Sequence, residues 1–495
     1  MARVLLVNPP FYRIMGSHYN GMSLGISYVA AVLNKAGHDA WLYNADFLDV
    51  DRYMTLYNCF KEFPHYIEIF RDERHEIWEE VVSAILSFAP DWVGYTSYTA
   101  NVSAVNIISQ KVKAQMPKIK QVVGGVQSTL DPELLYRLPA VDFSIRREGE
   151  YAMLDLVNGI DASKIQGVCY HNTSSCGVGT NQEHPIQISN NGHAQVIREL
   201  DKLPYPERDK YWGRNGIMKE EKLHMDVSYV ISIRGCPYRC AFCASPNVWG
   251  RANTVFRSPE EITEEMDFVK QHYWRGEHVD FGMLSANCST KEEMLKESLV
   301  IKDNTIVYFV DDIFTLRKDR VKTLMRRMMD ANLSMPWKCE SRADRIDQEM
   351  ADLMAASGCK RVKIGFESGS NRILKQIKKD ETKEDMIRGV KYLKKAGVPI
   401  TGYFMAGFPG ETDQDLMETV EFAKSLELDY YSLSILAPYY GTDIHMEVLN
   451  SGEYELDKQP WEYFFHYTRE LIVNKSLSQN ALEVFWKLCD VRKYI

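Results

Sequence analysis

The sequence predicts an α/β fold in two parts, each built on a parallel sheet. Three observations carry that expectation. Short apolar runs alternate with helical apolar spacing through the first 150 residues, the same alternation returns from Val227 to about His445, and glycine or proline turns close the runs. At 495 residues the chain has the length for two or three domains, and 45% hydrophobic residues fill their cores.

In the first part, Val4 to Val7 is a short buried-type strand, and Leu24 to Ala36 has helical spacing that stops at Gly37. Ala40 to Tyr43 is extended, Glu76 to Phe88 helical, Asp91 to Tyr95 extended, and Val102 to Met116 helical. Gln121-Val122-Val123-Gly124-Gly125 is a strand ending in a diglycine turn. Such alternation places helices on both faces of a doubly wound sheet, whose ligands bind beyond the carboxyl ends of the strands. Residues 161–222 lose the period. Their turn clusters, Asn172-Thr173-Ser174-Ser175 and Ser189-Asn190-Asn191-Gly192, predict a small hairpin and a linker.

From 223 to 446 the expected strands are Val227 to Ile233, Thr305 to Val310, Trp337 to Glu340, Arg361 to Phe366, Ile400 to Ala406 and Tyr431 to Leu436. Helices are expected between them at Pro259 to Gln271, Arg317 to Ala331, Asp347 to Ala356, Lys383 to Ala396 and Asp413 to Leu426. Residues 272–304 exceed a normal crossover by about thirty residues. A loop of that length beside a sheet's carboxyl ends is a functional candidate, and Cys288 within it is a candidate ligand or thiol donor. Residues 447–495 form an aromatic-rich extension with Trp461, Tyr463, Phe464, Phe465, His466 and Tyr467.

The net charge of -9 argues against a nucleic-acid surface, which needs clustered Lys and Arg. A small substrate or a protein partner is expected instead. The N-terminus runs straight into a strand without a charged and apolar leader, and no apolar run approaches the eighteen or so residues that cross a bilayer. The ten cysteines lack the dense spacing of a disulfide scaffold, so a reducing, cytoplasmic setting is expected.

Three of those cysteines stand together. In Arg234-Gly235-Cys236-Pro237-Tyr238-Arg239-Cys240-Ala241-Phe242-Cys243 the spacing is C-x3-C-x2-C, with no fourth cysteine close by. Three thiolates on one loop can hold three irons of a four-iron cluster, whose full complement is four. One iron is then open. A zinc knuckle would want a fourth ligand and a paired arrangement downstream, and none follows Cys243 closely.

This loop, following an apolar strand and carrying Phe242 before its last cysteine, resembles that of the radical S-adenosylmethionine superfamily. The resemblance implies a partial (β/α)6 barrel, a 4Fe-4S cluster on Cys236, Cys240 and Cys243, and S-adenosylmethionine on the open iron. It also implies cofactor contacts from Asp311 and Asp312 at the second strand end, Arg342 at the third and Glu367 at the fourth. Arg342 could pair a carboxylate bidentately. Where relatives close the sixth strand with Pro-x-Pro-Gly-Thr, this chain has Pro438-Tyr439-Tyr440-Gly441-Thr442.

Residues 1–160 resemble the Rossmann-like cobalamin-binding domain fused to many such enzymes, on Asn8-Pro9-Pro10, Leu24-Gly25-Ile26-Ser27-Tyr28, Val123 to Glu133 and Arg147-Glu148-Gly149-Glu150. That implies cobalamin contacts from Tyr95, Thr96, Thr99, Gly124, Gly125, Gln127, Ser128, Glu148 and Gly149. Cobalamin mutases carry D-x-H-x-x-G after the first strand, and here Gly16 stands in place of the Asp that would orient His18. His18 is therefore expected to be a loop residue and no lower cobalt ligand. The combination implies a methyltransferase acting on an unactivated carbon of a small molecule or protein side chain, for example a glutamine of methyl-coenzyme M reductase, with an electron donor of ferredoxin or flavodoxin type. A cyclase or rearrangement enzyme on the same domains, and a cobalamin- or redox-sensing binding protein, are the alternatives.

Overall fold

The computed structural model describes residues 1–14, 22–47, 56–172, 187–213, 216–217, 227–273, 278–279, 300–301, 306–333, 335–456, 459–466 and 473–490. The chain divides into two compact units. One is formed mainly by Met1–Asp49 and Pro64–His224, the other mainly by Met225–Gln459 and Tyr463–Ile495.

In the first unit, β1 (Arg3–Asn8), β2 (Asp39–Asn44), β3 (Trp92–Ser97), β4 (Lys120–Gly125) and β5 (Phe143–Ile145) run parallel in the order 2-1-3-4-5. Strand order reverses between β1 and β3, the switch point at which doubly wound sheets bind ligands. The helix Leu24–Lys35 buries Tyr28, Ala30, Val32 and Leu33 and gives way to Gly37, whose φ of 88° only glycine adopts readily. The expected hairpin is β6 (Val168–Asn172) with β7 (Gln187–Asn190). It is no separate appendage, because β6 pairs antiparallel with β5 and extends the sheet.

In the second unit six strands lie side by side in chain order and all parallel: β8 (Val227–Val230), β9 (Ile306–Phe309), β10 (Trp337–Ser341), β11 (Cys359–Glu367), β12 (Ile400–Ala406) and β13 (Tyr430–Ile435). Each strand presents alternate residues to opposite faces. One face carries Val307, Phe309, Trp337, Cys339, Val362, Ile364, Phe366, Ile400, Phe404 and Leu433, all in the apolar core. That core includes Val321, Leu324, Met325 and Met328 of the helix Lys318–Asp330. Burying a side chain of the size of Phe309 stabilises by about 1.5–3 kcal/mol.

The cross-over helices begin where the sequence supplies caps. Thr382 and Thr412 each form a capping box, with Asp385 and Asp415 three residues on. Of the expected 272–304 insertion only the end of the helix Pro259–Tyr273 and the short antiparallel pair His278–Val279 with Val300–Ile301 are described. Cys288 and His18 lie outside the described residues. Phe464 of the aromatic extension packs into the apolar core of the second unit.

Candidate cofactor-binding sites

The cysteine loop leaves β8 through Ser232, and Ile233–Arg234 then pairs antiparallel with Val255–Phe256. Gly235 allows the turn at φ 91°, where a Cβ would sit 3.2 Å from both the Asn253 carbonyl and the Trp249 side chain. The loop is pinned by segments later in the chain, two of them at helix ends. The Ala241 N–H donates to the Ile377 carbonyl (2.8 Å), the Ile444 N–H donates to the Ala241 carbonyl (3.0 Å), and Phe242 meets Phe408 edge-on at 6.2 Å.

Asp311 is the strut of this turn. One carboxylate oxygen accepts from the Ser232 and Ile233 N–H groups (2.7 and 3.0 Å), and the other accepts from the Ser232 hydroxyl. Arg320 closes the same turn, donating to the Ser232 and Arg257 carbonyls, both at 2.7 Å. Burial raises the Asp311 carboxyl to about 6 against these stabilising hydrogen bonds. Asp311 thus holds the loop. Asp312, beside it, has exposed surface and yet is ringed by protein, as at the wall of a concavity. It accepts from the Ser245 hydroxyl at 2.7 Å, and burial raises its pKa with help from the Glu340 carboxylate.

Arg342 also serves the loop. Its guanidinium lies 3.9 Å over the Tyr238 ring and donates to Asp344 (3.0 Å) and to the carbonyls of Lys379 (2.8 Å) and Asp380 (2.9 Å). It clamps the turn after the fourth strand to the cysteine loop and reaches both oxygens of the Asp344 carboxylate, at 3.0 and 3.5 Å.

At the end of β11, Glu367 takes φ 65° after a register shift in the sheet, and its carboxylate accepts from buried Lys379 at 3.2 Å. Gly365 makes room for the pair, since a Cβ there would lie 2.3 Å from the Glu367 Oε1. Lys378 and Asp380, on either side of Lys379, also have positive φ, 54° and 51°. Such backbone costs about 1–3 kcal/mol per residue and persists where surroundings over-determine it, often at functional sites. Lys379 and Arg320 escaped the sequence reading because neither belongs to a spacing motif. Their signal is tertiary.

Burial pushes the Cys236 thiol up to about 11, and Cys240 and Cys243 are raised as well, chiefly by burial. Metal coordination reverses that logic, because a ligating thiol is deprotonated outright. Lys379 and Arg342 favour the Cys240 thiolate. Among the described residues no three His, Cys, Asp or Glu side chains converge on one ion. The thiolates of a four-iron cluster each take a separate iron. Three thiols on one pinned loop fit the cluster.

In the first unit, Tyr95, Thr96, Thr99, Gly124, Gly125, Gln127 and Ser128 come together at the ends of β3 and β4. The Ser97 hydroxyl donates to the Gly124 carbonyl (2.8 Å) and the Thr99 hydroxyl to Gln127 (2.8 Å), while the Tyr95 hydroxyl turns inward to Gln121 (2.7 Å). Gly125, at φ 101°, packs so closely that a Cβ would lie 2.6 Å from the Ser97 carbonyl, and Gly124 faces open space. Beside them Val126 is 39% exposed. A flat glycine surface with an apolar edge fits a large planar cofactor such as cobalamin. Glu148 is committed elsewhere, accepting from the Ile197 N–H at 2.6 Å, and Gly149 precedes the helix Glu150–Val157.

Comparison with known proteins agrees with this geometry. Residues 16–157 match the B12 binding domain family and residues 230–423 the Radical SAM superfamily. The chain is 27% identical over 449 residues to an uncharacterized methyltransferase of Pyrococcus horikoshii, covering 89% of this chain and 82% of that protein. It is 25% identical over 386 residues to the anaerobic magnesium-protoporphyrin IX monomethyl ester cyclase of Rubrivivax gelatinosus, covering 75% of this chain and 60% of that one. The fold is similar to that of TsrM, a radical S-adenosylmethionine methyltransferase of Kitasatospora setae solved with cobalamin and a 4Fe-4S cluster, with TM-score 0.64, 17% identity, and coverage of 91% of this chain and 75% of that one.

Proposed function

We propose that this chain, a radical S-adenosylmethionine protein that also carries a B12-binding domain, transfers a methyl group to an unactivated carbon. The observation that carries the reading is the presence in one chain of a pinned three-thiol loop and a glycine cradle at a doubly wound switch point. When bound, a four-iron cluster with S-adenosylmethionine supplies a carbon-centred radical and cobalamin a methyl carrier. The chain's own residues bind and orient. Cys236, Cys240 and Cys243 hold three irons, Asp311 and Arg320 fix the loop's entry, Arg342 fixes its Tyr238, and Lys379 holds the Glu367 carboxylate in place. Thr96, Gly124, Gly125 and Val126 form the surface that receives the cobalamin.

The substrate is a small molecule or a protein side chain such as a glutamine of methyl-coenzyme M reductase, and the electron comes from a ferredoxin- or flavodoxin-type donor. The test is anaerobic turnover with S-adenosylmethionine bearing a deuterated methyl group. Methylation yields 5'-deoxyadenosine together with a product heavier by the labelled methyl. The likeness to the R. gelatinosus cyclase supports a second reading, ring closure on the same domains. It predicts 5'-deoxyadenosine with an unlabelled product that has lost hydrogen, and that result would replace the first reading. Failure to cleave S-adenosylmethionine at all would point to a sensing role.

A further inference from the structure

Lys379 is a buried ammonium set beside the cysteine loop. The segment that carries it runs along residues 239–241 and is tied to them on both sides of the lysine. Before it, the Ile377 carbonyl accepts from the Ala241 N–H at 2.8 Å, and after it the Asp380 carboxylate lies 3.6 Å from the Arg239 guanidinium. Arg342, stacked over Tyr238, holds the Lys379 and Asp380 carbonyls. Lys379 itself is 4% exposed, whereas Lys378 and Asp380 on either side face solvent.

A lysine is almost never fully buried unless paired, and the partner here is Glu367 at 3.2 Å. The pair has a direction. Burial disfavours the Cys240 thiolate, and of the charges that act on it Lys379 weighs most, followed by Glu367, Arg342 and Asp380. The ammonium is therefore the end of the pair nearer Cys240. Arg342 is matched by Asp344 at 3.0 Å and Glu381 at 3.6 Å, and Glu381 also acts on Lys379. The other two thiols meet the opposite charge, since Asp312 acts against the thiolates of Cys236 and Cys243. Buried ion pairs are often no more stable than apolar side chains of the same volume, so stability alone does not account for a charge at 379. Nor does it account for the positive φ of Glu367, Lys378 and Asp380 around the pair.

We infer that Lys379 tunes the cluster held by this loop, raising its reduction potential through Cys240, with Glu367 limiting how far. The inference rests on the reading of the loop as a four-iron site and adds to it the group that sets the potential. Reduction by one electron adds one negative charge to the cluster, whose potential follows its charge and solvent exposure. A buried cation beside one thiolate stabilises that added charge, and the interior screens it little. The cluster then accepts its electron from a weaker donor than it otherwise would.

The test is potentiometric titration of the anaerobically reconstituted protein with dithionite, without S-adenosylmethionine, following the paramagnetic signal of the reduced cluster. Lys379→Met should lower the midpoint potential and Glu367→Gln should raise it, two shifts of opposite sign that a loosened loop would not produce. The double variant Lys379→Met/Glu367→Gln buries no lone charge and so guards against misfolding of the lysine variant. Its midpoint should also lie below that of the wild type, because the nearer charge of the pair is the ammonium. Lys378→Met removes an exposed cation bonded to Asp443 and should move the midpoint less than the double variant does. The inference is overturned by an unchanged or raised midpoint in the double variant, by an unchanged or lowered one in Glu367→Gln, or by an equal shift in Lys378→Met. Iron and sulfide content of the wild type reports separately on the cluster. Their absence overturns the cluster reading and this inference with it, whereas a full complement with unmoved midpoints overturns this inference alone.

Discussion

At the scale of single residues, the three cysteines were legible because their chemistry demands a fixed local spacing, whereas the groups that hold them in place were not. Cys240→Ala should lose the cluster and 5'-deoxyadenosine formation together, since the remaining thiolates hold only two irons. Wild-type iron content in that variant would refute the assignment. Lys379 lies twelve residues after Glu367 with a helix between, a separation that no motif encodes. Lys379→Met should leave Glu367 buried without its partner at a cost of about 3–5 kcal/mol, read as a lower urea midpoint, and the added change Glu367→Gln should restore most of it. Glu411 gives a pH-dependent case. Its carboxylate accepts from the Gly407 and Phe408 N–H groups, and burial raises its pKa from 4.5 to about 7. The folded state then holds this proton through a range in which the unfolded chain has released it, so stability falls as pH rises from 4.5 to about 7. Across that window the wild type should lose about 3 kcal/mol relative to Glu411→Gln, and a pH-independent difference in melting temperature would contradict the shift.

At the scale of elements, the strand and helix alternation was readable because burial imposes periods of about 2 and 3.6 residues. The direction of a strand-end side chain was less so. Asp311 and Arg342 stand at family-like positions, yet hydrogen bonds turn Asp311 to the entry of the cysteine loop, and Arg342, bonded to the Lys379 and Asp380 carbonyls, stacks over Tyr238 of that loop, a choice set by the chain that packs above them. The paired glycines after β4 separate fold from binding. Gly125→Ala should destabilise the unit, because its Cβ would strike the Ser97 backbone at φ 101°. Gly124→Ala meets open space, so it should fold normally and lower cobalamin occupancy, measured by absorbance against protein concentration. Unchanged occupancy would place the cofactor elsewhere.

For the whole molecule, linkage supplies the measurement. Hydroxocobalamin at a hundred times its dissociation constant should stabilise the folded form by about 2.7 kcal/mol and raise the melting temperature, with a smaller rise at the same concentration when Gly124 is replaced. Among the described residues no helix is long and apolar enough to cross a membrane. Because the second unit's strands lie in chain order, each can dock on its predecessor as it leaves the ribosome, with a long closure from β8 to β9 and shorter ones at every later step. The cysteine loop sits at the start of that series, yet two of its ties, the Ile377 carbonyl and the Ile444 amide, belong to segments made more than a hundred residues later. The nascent chain therefore exposes three thiols through most of the synthesis of this unit, and iron delivered before Ile444 emerges meets a loop still free to move. Cluster insertion is in this sense a post-translational event, and overexpression that outruns iron supply should yield a folded barrel with an empty loop that accepts its cluster afterwards.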